Sequence, residues 1–379
     1  MNKINKDWKE VKLGDIVDIT MGQSPKSEFY NKRNEGMPFL QGSATFGFMH
    51  PYFETYSSDI KKIAINGSVL MSVRAPVGDL NIANADVCIG RGLCSINGKS
   101  NIINRYIFYL LSYYKPKLLN MQKGTTFGAI TKDDILNFKV LIAEDIEEQK
   151  RIASALSKID AYLENTIKLI EEKERFKRGI AKKLLTCKEG ENIPEARFKG
   201  FEDEWETKTL NSISNIKKGE QKNKLDLIAD GKYPVLNGGM NFSGYCNSYN
   251  REANTITISE GGNAGYVNFI KEKFWSSGHC YTLHDLKIDK YFLYQCLKNS
   301  EKRLMKLQLG TALKNIRQSE IVEFELNIPK SIKEQEKIGG YLSLLDAEID
   351  NLKKQKELIK EMKRGAMQKL LSGEVRLLE

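Results

Sequence analysis

The chain has 379 residues, 28% of them charged and 41% hydrophobic, a balance that excludes a disordered or fibrous protein and allows two or more cores. Lys and Arg outnumber Asp and Glu 59 to 49, giving a formal charge of +10 and a pI near 9.0, which favours an anionic partner. No apolar run approaches the roughly 18 residues of a membrane span, and the start MNKINKDWKE has no apolar signal region, so the expectation is a cytoplasmic protein without membrane contact.

Along the chain, the first 145 residues are rich in Gly, Asn, Ser and aromatics. Short apolar runs such as Gly67–Val73 read as strands ending in glycine turns, and apolar spacing of three and four predicts a helix over Asn104–Leu119. Residues 146–186 carry a seven-residue apolar repeat through Ile152, Leu156, Ile159, Leu163, Ile170 and Leu184, the pattern of a coiled-coil helix. At 1.5 Å per residue, forty residues make about 60 Å of helix. Residues 187–204 contain Gly190, Pro194 and Gly200, with six acids against three bases, and read as a linker.

Everything then recurs. Trp8, Leu13, Ile16, Ile19 and Gly22 return 197 positions later as Trp205, Leu210, Ile213, Ile216 and Gly219. Pro38–Gly42 returns as Pro234–Gly238 at an offset of 196, and Ser72 and Gly78 match Ser259 and Gly265 at 187. From Gly92 and Cys94, matched by Gly278 and Cys280, the offset is 186. It then runs without a gap over Ile146–Leu185 against Ile332–Leu371, with 17 identities in 40. The offset falls mainly between Phe46 and Ser72, which places about ten extra residues in a surface loop of the first copy.

The reading is therefore α+β: a first globule over 1–145, a long helix over 146–186, a linker over 187–204, a second globule over 205–331 with strand Thr255–Ser259 and a helix near Asp289–Leu307, and a long helix over 332–375. The second seam runs through Ile338, Leu342, Leu345, Ile349, Leu352, Ile359 and Leu370. Two exposed stripes are most simply buried by packing the helices on each other; the alternative docks each on its own globule. The globules carry +4 (18 bases less 14 acids, residues 1–145) and +5 (18 less 13, residues 205–331), so the positive excess is shared.

Catalytic material is sparse. Only His50, His279 and His284 are available for a histidine triad or a three-histidine metal site. The six cysteines form no C-x-x-C pair, and the His279-Cys280 and His284 group has no histidine counterpart around Cys94, which favours a buried structural cysteine over a metal ligand. Glu260–Gly265 resembles a phosphate-cradling loop but lacks the Lys-Ser/Thr that would follow, so a tight turn after a strand is the better reading. No amino-methyltransferase Asn/Asp-Pro-Pro-aromatic motif and no P-loop is found, so the chain is expected to bind rather than catalyse.

Each globule ends in Gly-Thr-(four residues)-Ile (Gly124-Thr125 to Ile130, Gly310-Thr311 to Ile316). Each long helix starts Ile-x-Glu-Gln-x-(Lys/Arg)-Ile (Ile146–Ile152, Ile332–Ile338) and ends Lys-Arg-Gly…Lys-Leu-Leu (Lys177–Leu185, Lys363–Leu371), and the junction reads Ile193–Phe201 followed by Trp205. Across essentially its whole length the chain resembles the DNA-sequence specificity subunit of a type I restriction-modification system. Ala143-Glu144-Asp145 departs from the more family-like Ile328-Pro329-Lys330 before the second helix.

The resemblance implies a non-catalytic reader of double-stranded DNA, with two target-recognition domains separated by an antiparallel coiled coil of the two long helices and reading a bipartite, asymmetric site. It also implies recruitment of two modification subunits, which bind S-adenosylmethionine, and two restriction subunits, which use ATP and Mg; none of these cofactors belongs to this chain. Lys and Arg would contact phosphates, while loop-tip polar groups would read bases. Candidate readers are loop residues that differ between aligned copies: Gln23, Ser24, Lys26, Gln41, Ser43, Thr45, Arg74 and Arg91 in the first, and Gln221, Lys222, Asn237, Asn241, Asn263 and His279 in the second. The Glu-Gln pair of each helix start is expected to cap or pack the helix. Competing readings are a self-contained DNA methyltransferase or nuclease with an unrecognised active site, and a coiled-coil scaffold that does not touch DNA.

Overall fold

In a computed structural model, residues 8–120, 128–310 and 314–377 are described. The chain forms two compact units, residues 1–168 with 354–379 and residues 169–353, so each unit owns one globule and a stretch of both long helices.

In the first unit a four-stranded antiparallel sheet has the order Val17–Met21, Leu93–Gly98, Val69–Ser72, Leu80–Ile82. Alternation along the strands serves two faces. Val69 and Met71 enter the large core with Tyr106, Tyr109 and Leu110 of helix Asn104–Leu119, whereas Leu70 enters a smaller core with Leu40, Val87 and Ile89. That second core belongs to a sheet in which Met37–Leu40 pairs in parallel with Val87–Ile89. Trp8–Lys12 pairs with Lys139–Ala143 and closes the globule just before the first long helix.

The second unit repeats the plan. Its sheet runs Asn215–Lys218, Cys280–His284, Thr255–Ser259, Val267–Ile270. Ile256 and Ile258 face helix Lys290–Asn299, while Cys280 joins Leu236, Ile270 and Phe274 on the other side. Tyr233–Leu236 pairs in parallel with Trp275–Ser276, whereas Glu206–Thr209 pairs antiparallel with Glu325–Ile328.

The long helices span Ile146–Leu185 and Ile332–Leu371. Asp145 caps the first, its carboxylate accepting from the N–H groups of Glu147 (3.0 Å) and Glu148 (3.2 Å), so the residue that departs from the family-like pattern still serves the helix start. The two helices pack together, antiparallel, within each unit. In the first unit Lys363 Nζ meets Asp160 at 2.6 Å, and Tyr109 donates to the same carboxylate at 2.8 Å. In the second, Lys177 meets Asp346 at 2.5 Å and Gln295 donates to it at 2.7 Å, the same arrangement 186 residues away. Docking onto the globules coexists with the pairing. Ile152, Ala153 and Leu156 share the first core with Leu370 and Leu371, and Ile338 and Leu342 share the second with Ala181, Leu184 and Leu185.

The Glu-Gln pair at each helix start is buried. Gln149 donates to Ala143 O (2.9 Å) and accepts from Ile103 N–H (3.3 Å); Gln335 donates to Pro329 O (2.8 Å) and accepts from Asp289 N–H (2.9 Å). Glu334 accepts from Arg197 Nε and Nη2 at 2.7 and 2.8 Å, and Glu148 accepts from Arg376 at 3.1 and 2.8 Å. The stretch read as a linker is consequently ordered. Ala196 N–H bonds Lys183 O, Trp205 N–H bonds Asn192 O, and Arg197 ties the segment to the first turn of the second long helix.

Candidate nucleic-acid interface

In each globule the loops that follow the sheet strands are laced together by main-chain hydrogen bonds. In the first, Gly22 N–H bonds Leu93 O, Gln23 N–H bonds Ile89 O, Gly90 N–H bonds Leu40 O, and Gly92 N–H bonds Gln41 O. Glycine is needed because the loops nearly touch: a Cβ on Gly22 would stand 2.2 Å from Gly90 O. The counterpart, Gly219, would place a Cβ 2.2 Å from Ser277 O, so one steric requirement explains why this glycine recurs in the repeat.

Four of the sequence-selected residues meet in this first cluster. Ser24 Oγ donates to Gln41 Oε1 (2.9 Å) and accepts from Arg91 N–H (3.1 Å), with exposed Gln23 beside them. Exposed Arg74 follows Val73, whose N–H bonds Gly92 O, and forms a bridge with Ala129. The other three are drawn elsewhere. Ser43 donates to Asp79 (3.1 Å), itself ion-paired with Lys115; Thr45 O accepts from Tyr52 N–H; and Lys26 is exposed beside Glu28 at 3.6 Å.

In the second globule Asn263 N–H bonds Gly238 O, Glu260 N–H bonds His279 O, and exposed Gln221 leans on Gly278. Gln221, Asn263 and His279 thus share one loop cluster with Asn237, whose Oδ1 is buried and has no hydrogen-bond partner among the described residues. Lys222 is held back. Its ammonium sits 3.5 Å over the Trp275 ring and 3.2 Å from Ser248 Oγ. Asn241 lines a separate cleft of about 650 Å³ with Met240, Phe242, Tyr245 and Asn268.

The sequence reading missed the charged hub of this cluster. Glu260, its side chain 14% exposed, accepts from Lys218 Nζ (2.6 Å) and Tyr281 Oη (2.8 Å) and faces His279 Nδ1 at 3.4 Å. Burial pushes its carboxyl pKa up, but the Lys218 and Tyr281 hydrogen bonds and the neighbouring Lys218 and His279 charges outweigh it and hold the pKa below 4.5. The available signal was alignment: Lys218, Glu260 and Tyr281 stand where the first copy has Met21, Val73 and Ser95. Cys280 lies in the core, its thiol pushed up by burial to about 11, while His284 bonds Thr282 Oγ1 at 2.8 Å. Among the described residues no group of three or more His, Cys, Asp or Glu could hold a metal. The Gly124-Thr125 turn and Thr311 fall outside the described residues.

The profile of a family described as type I restriction modification DNA specificity domain matches residues 5–172 and 202–361. A putative type I restriction enzyme MjaX specificity subunit of Methanocaldococcus jannaschii is 44% identical over 191 residues, 50% of this chain and 45% of the relative. A putative type I specificity subunit of Mycoplasma pneumoniae is 40% identical over 151 residues, 39% of this chain and 40% of the relative. The chain thus spans less than half the length of these two relatives. At 24% identity, the type I restriction enzyme MjaVIII specificity subunit of M. jannaschii aligns over 99% of this chain and 94% of its own length. In fold, the chain is similar to the crystal structure of a type I restriction-modification S subunit from M. genitalium, with a TM-score of 0.72, 19% identity, and coverage of 98% and 97% of the two chains. No helix among the described residues is long and apolar enough to cross a membrane.

Proposed function

Because the chain belongs to the type I restriction modification DNA specificity family, whose domain it carries twice, we propose that it is the DNA-reading subunit of such a system and recognises a bipartite, asymmetric duplex target. One observation carries the reading: the same sheet, in the same strand order, presents a Gln-Ser-Arg loop cluster in the first globule and a Lys-Glu-His cluster in the second. A shared scaffold with different polar tips suits two half-sites of different sequence. The chain's role is binding, and the chemistry belongs to partners: two modification subunits with S-adenosylmethionine and two restriction subunits with ATP and Mg. The test is exchange of residues 8–145 for another member's first globule, followed by sequencing of the methylated sites in the host. One half-site should change and the other remain; if both change together, the modular reading fails.

A further inference from the structure

Leu225 is 97% exposed, more than any other large hydrophobic side chain among the described residues; the next, Leu344, is 71% exposed. It sits at the centre of a 3₁₀ turn, Lys224–Asp226, in the loop after strand Asn215–Lys218. The turn is not loose. Lys222 anchors its leading side through Ser277 and the Trp275 ring. Asp226 N–H bonds Asn223 O and Leu227 N–H bonds Lys224 O. On the trailing side Ile228 pairs with Tyr245, and the Leu227 side chain packs on Gly244. A backbone tied at both ends therefore holds one bare leucine outward, flanked by exposed Asn223 and Lys224. The loop begins at Gln221 and Lys222, beside the polar cluster of the second globule.

A fully hydrated leucine forgoes the stabilisation of burial, and nothing among the described residues covers it. A rigidly held apolar tip with exposed Lys224 on its leading side, and Asp226 following it, has a natural counterpart in a duplex step that can be partly unstacked. Resting on the reading above, we propose that Leu225 inserts between two base pairs of the half-site read by the second globule. Duplication supplies an internal contrast. The first globule has the same turn, Ser27–Phe29, 197 residues earlier, but its central residue is Glu28, paired with Lys26 at 3.6 Å. A carboxylate is repelled by phosphates and has no place in a base stack, so the wedge belongs to the second half-site alone.

The experiment uses the full chain and a duplex carrying its methylated motif, with 2-aminopurine placed in turn at each adenine of the second half-site. The wild-type chain should raise fluorescence at one position, marking unstacking. Leu225→Ala should abolish that rise and bind the motif about tenfold more weakly, with affinity for random duplex unchanged. Leu225→Phe should restore both signals, and Glu28→Ala should not weaken motif binding. So exposed a side chain can be truncated without unfolding the chain. If the wild type prefers the motif while Leu225→Ala matches it in affinity and fluorescence, the wedge is overturned and the DNA-reading assignment stands. A wild-type chain that binds motif and random duplex alike overturns both.

Discussion

Arg197→Ala should destabilise the second unit by far more than a surface ion pair could. The Glu334 side chain is 1% exposed and that of Arg197 13%, and two charge-assisted bonds of 2.7 and 2.8 Å join them. Trp205 Nε1 adds only a long 3.4 Å contact. Removing the guanidinium leaves a carboxylate sealed under the junction segment, a change that costs about 3–5 kcal/mol, against about 0–1 kcal/mol for an exposed pair such as Lys26–Glu28. Three kcal/mol is roughly two powers of ten in an opening equilibrium. Hydrogen exchange resolved by peptide reads this unit by unit: the slowest amides of residues 205–345 should exchange about a hundredfold faster, while those of residues 8–120 keep their rates. Arg197→Met combined with Glu334→Leu removes both charges and should recover to within about 1 kcal/mol of the parent. A loss below about 1 kcal/mol in the single variant, or a double variant as damaged as the single, would refute the reasoning. Arg376→Ala provides the mirror experiment on the first unit, because Glu148 is equally buried against Arg376.

Gly219→Ala must push against Ser276 and Ser277 carbonyls at 2.5 and 2.2 Å, costing about 1–3 kcal/mol and degrading methylation specificity at the second half-site only, whereas Gly340→Ala, with open space around it, should be neutral or slightly stabilising in a melt. Since the Glu260 carboxyl is held below its ordinary value of 4.5, its contribution is full above that pH and is lost as pH falls through the depressed value; Glu260→Gln should flatten that part of the second unit's stability-pH curve, and an unchanged curve would count against the hub. Arg91→Ala, at an exposed position anchored through Ser24, should cost about 1–3 kcal/mol and relax one base position if the guanidinium reads guanine, or weaken all sequences alike if it holds phosphate; unchanged binding to motif and random duplex would remove Arg91 from the interface.

Periodicity is a local property, and what depended on it was legible in the chain itself. The seven-residue repeat marked both long helices, and many of the positions it selected are buried, among them Ile152, Leu156 and Leu163 in the first and Ile338, Leu342 and Ile349 in the second, while Ile159, Leu345 and Leu352 are half-buried. Internal duplication also exposed the glycines and polar loop residues at equivalent places. It did not reveal which partners they meet. Arg197 and Glu334 are 137 residues apart, and neither spacing nor composition links a charge in an apparent linker to the first turn of a distant helix. Lys218 and Glu260 are joined only by sheet order, since the strand beginning at Cys280 lies between those they terminate. Sequence likewise marked Lys222 as a free reader, but tertiary folding laid its ammonium on Trp275 and left the neighbouring Leu225 bare. Local pattern determines which face of an element is apolar; which charge is buried, which is paired and which side chain remains in water depend on surfaces assembled from segments far apart in the chain.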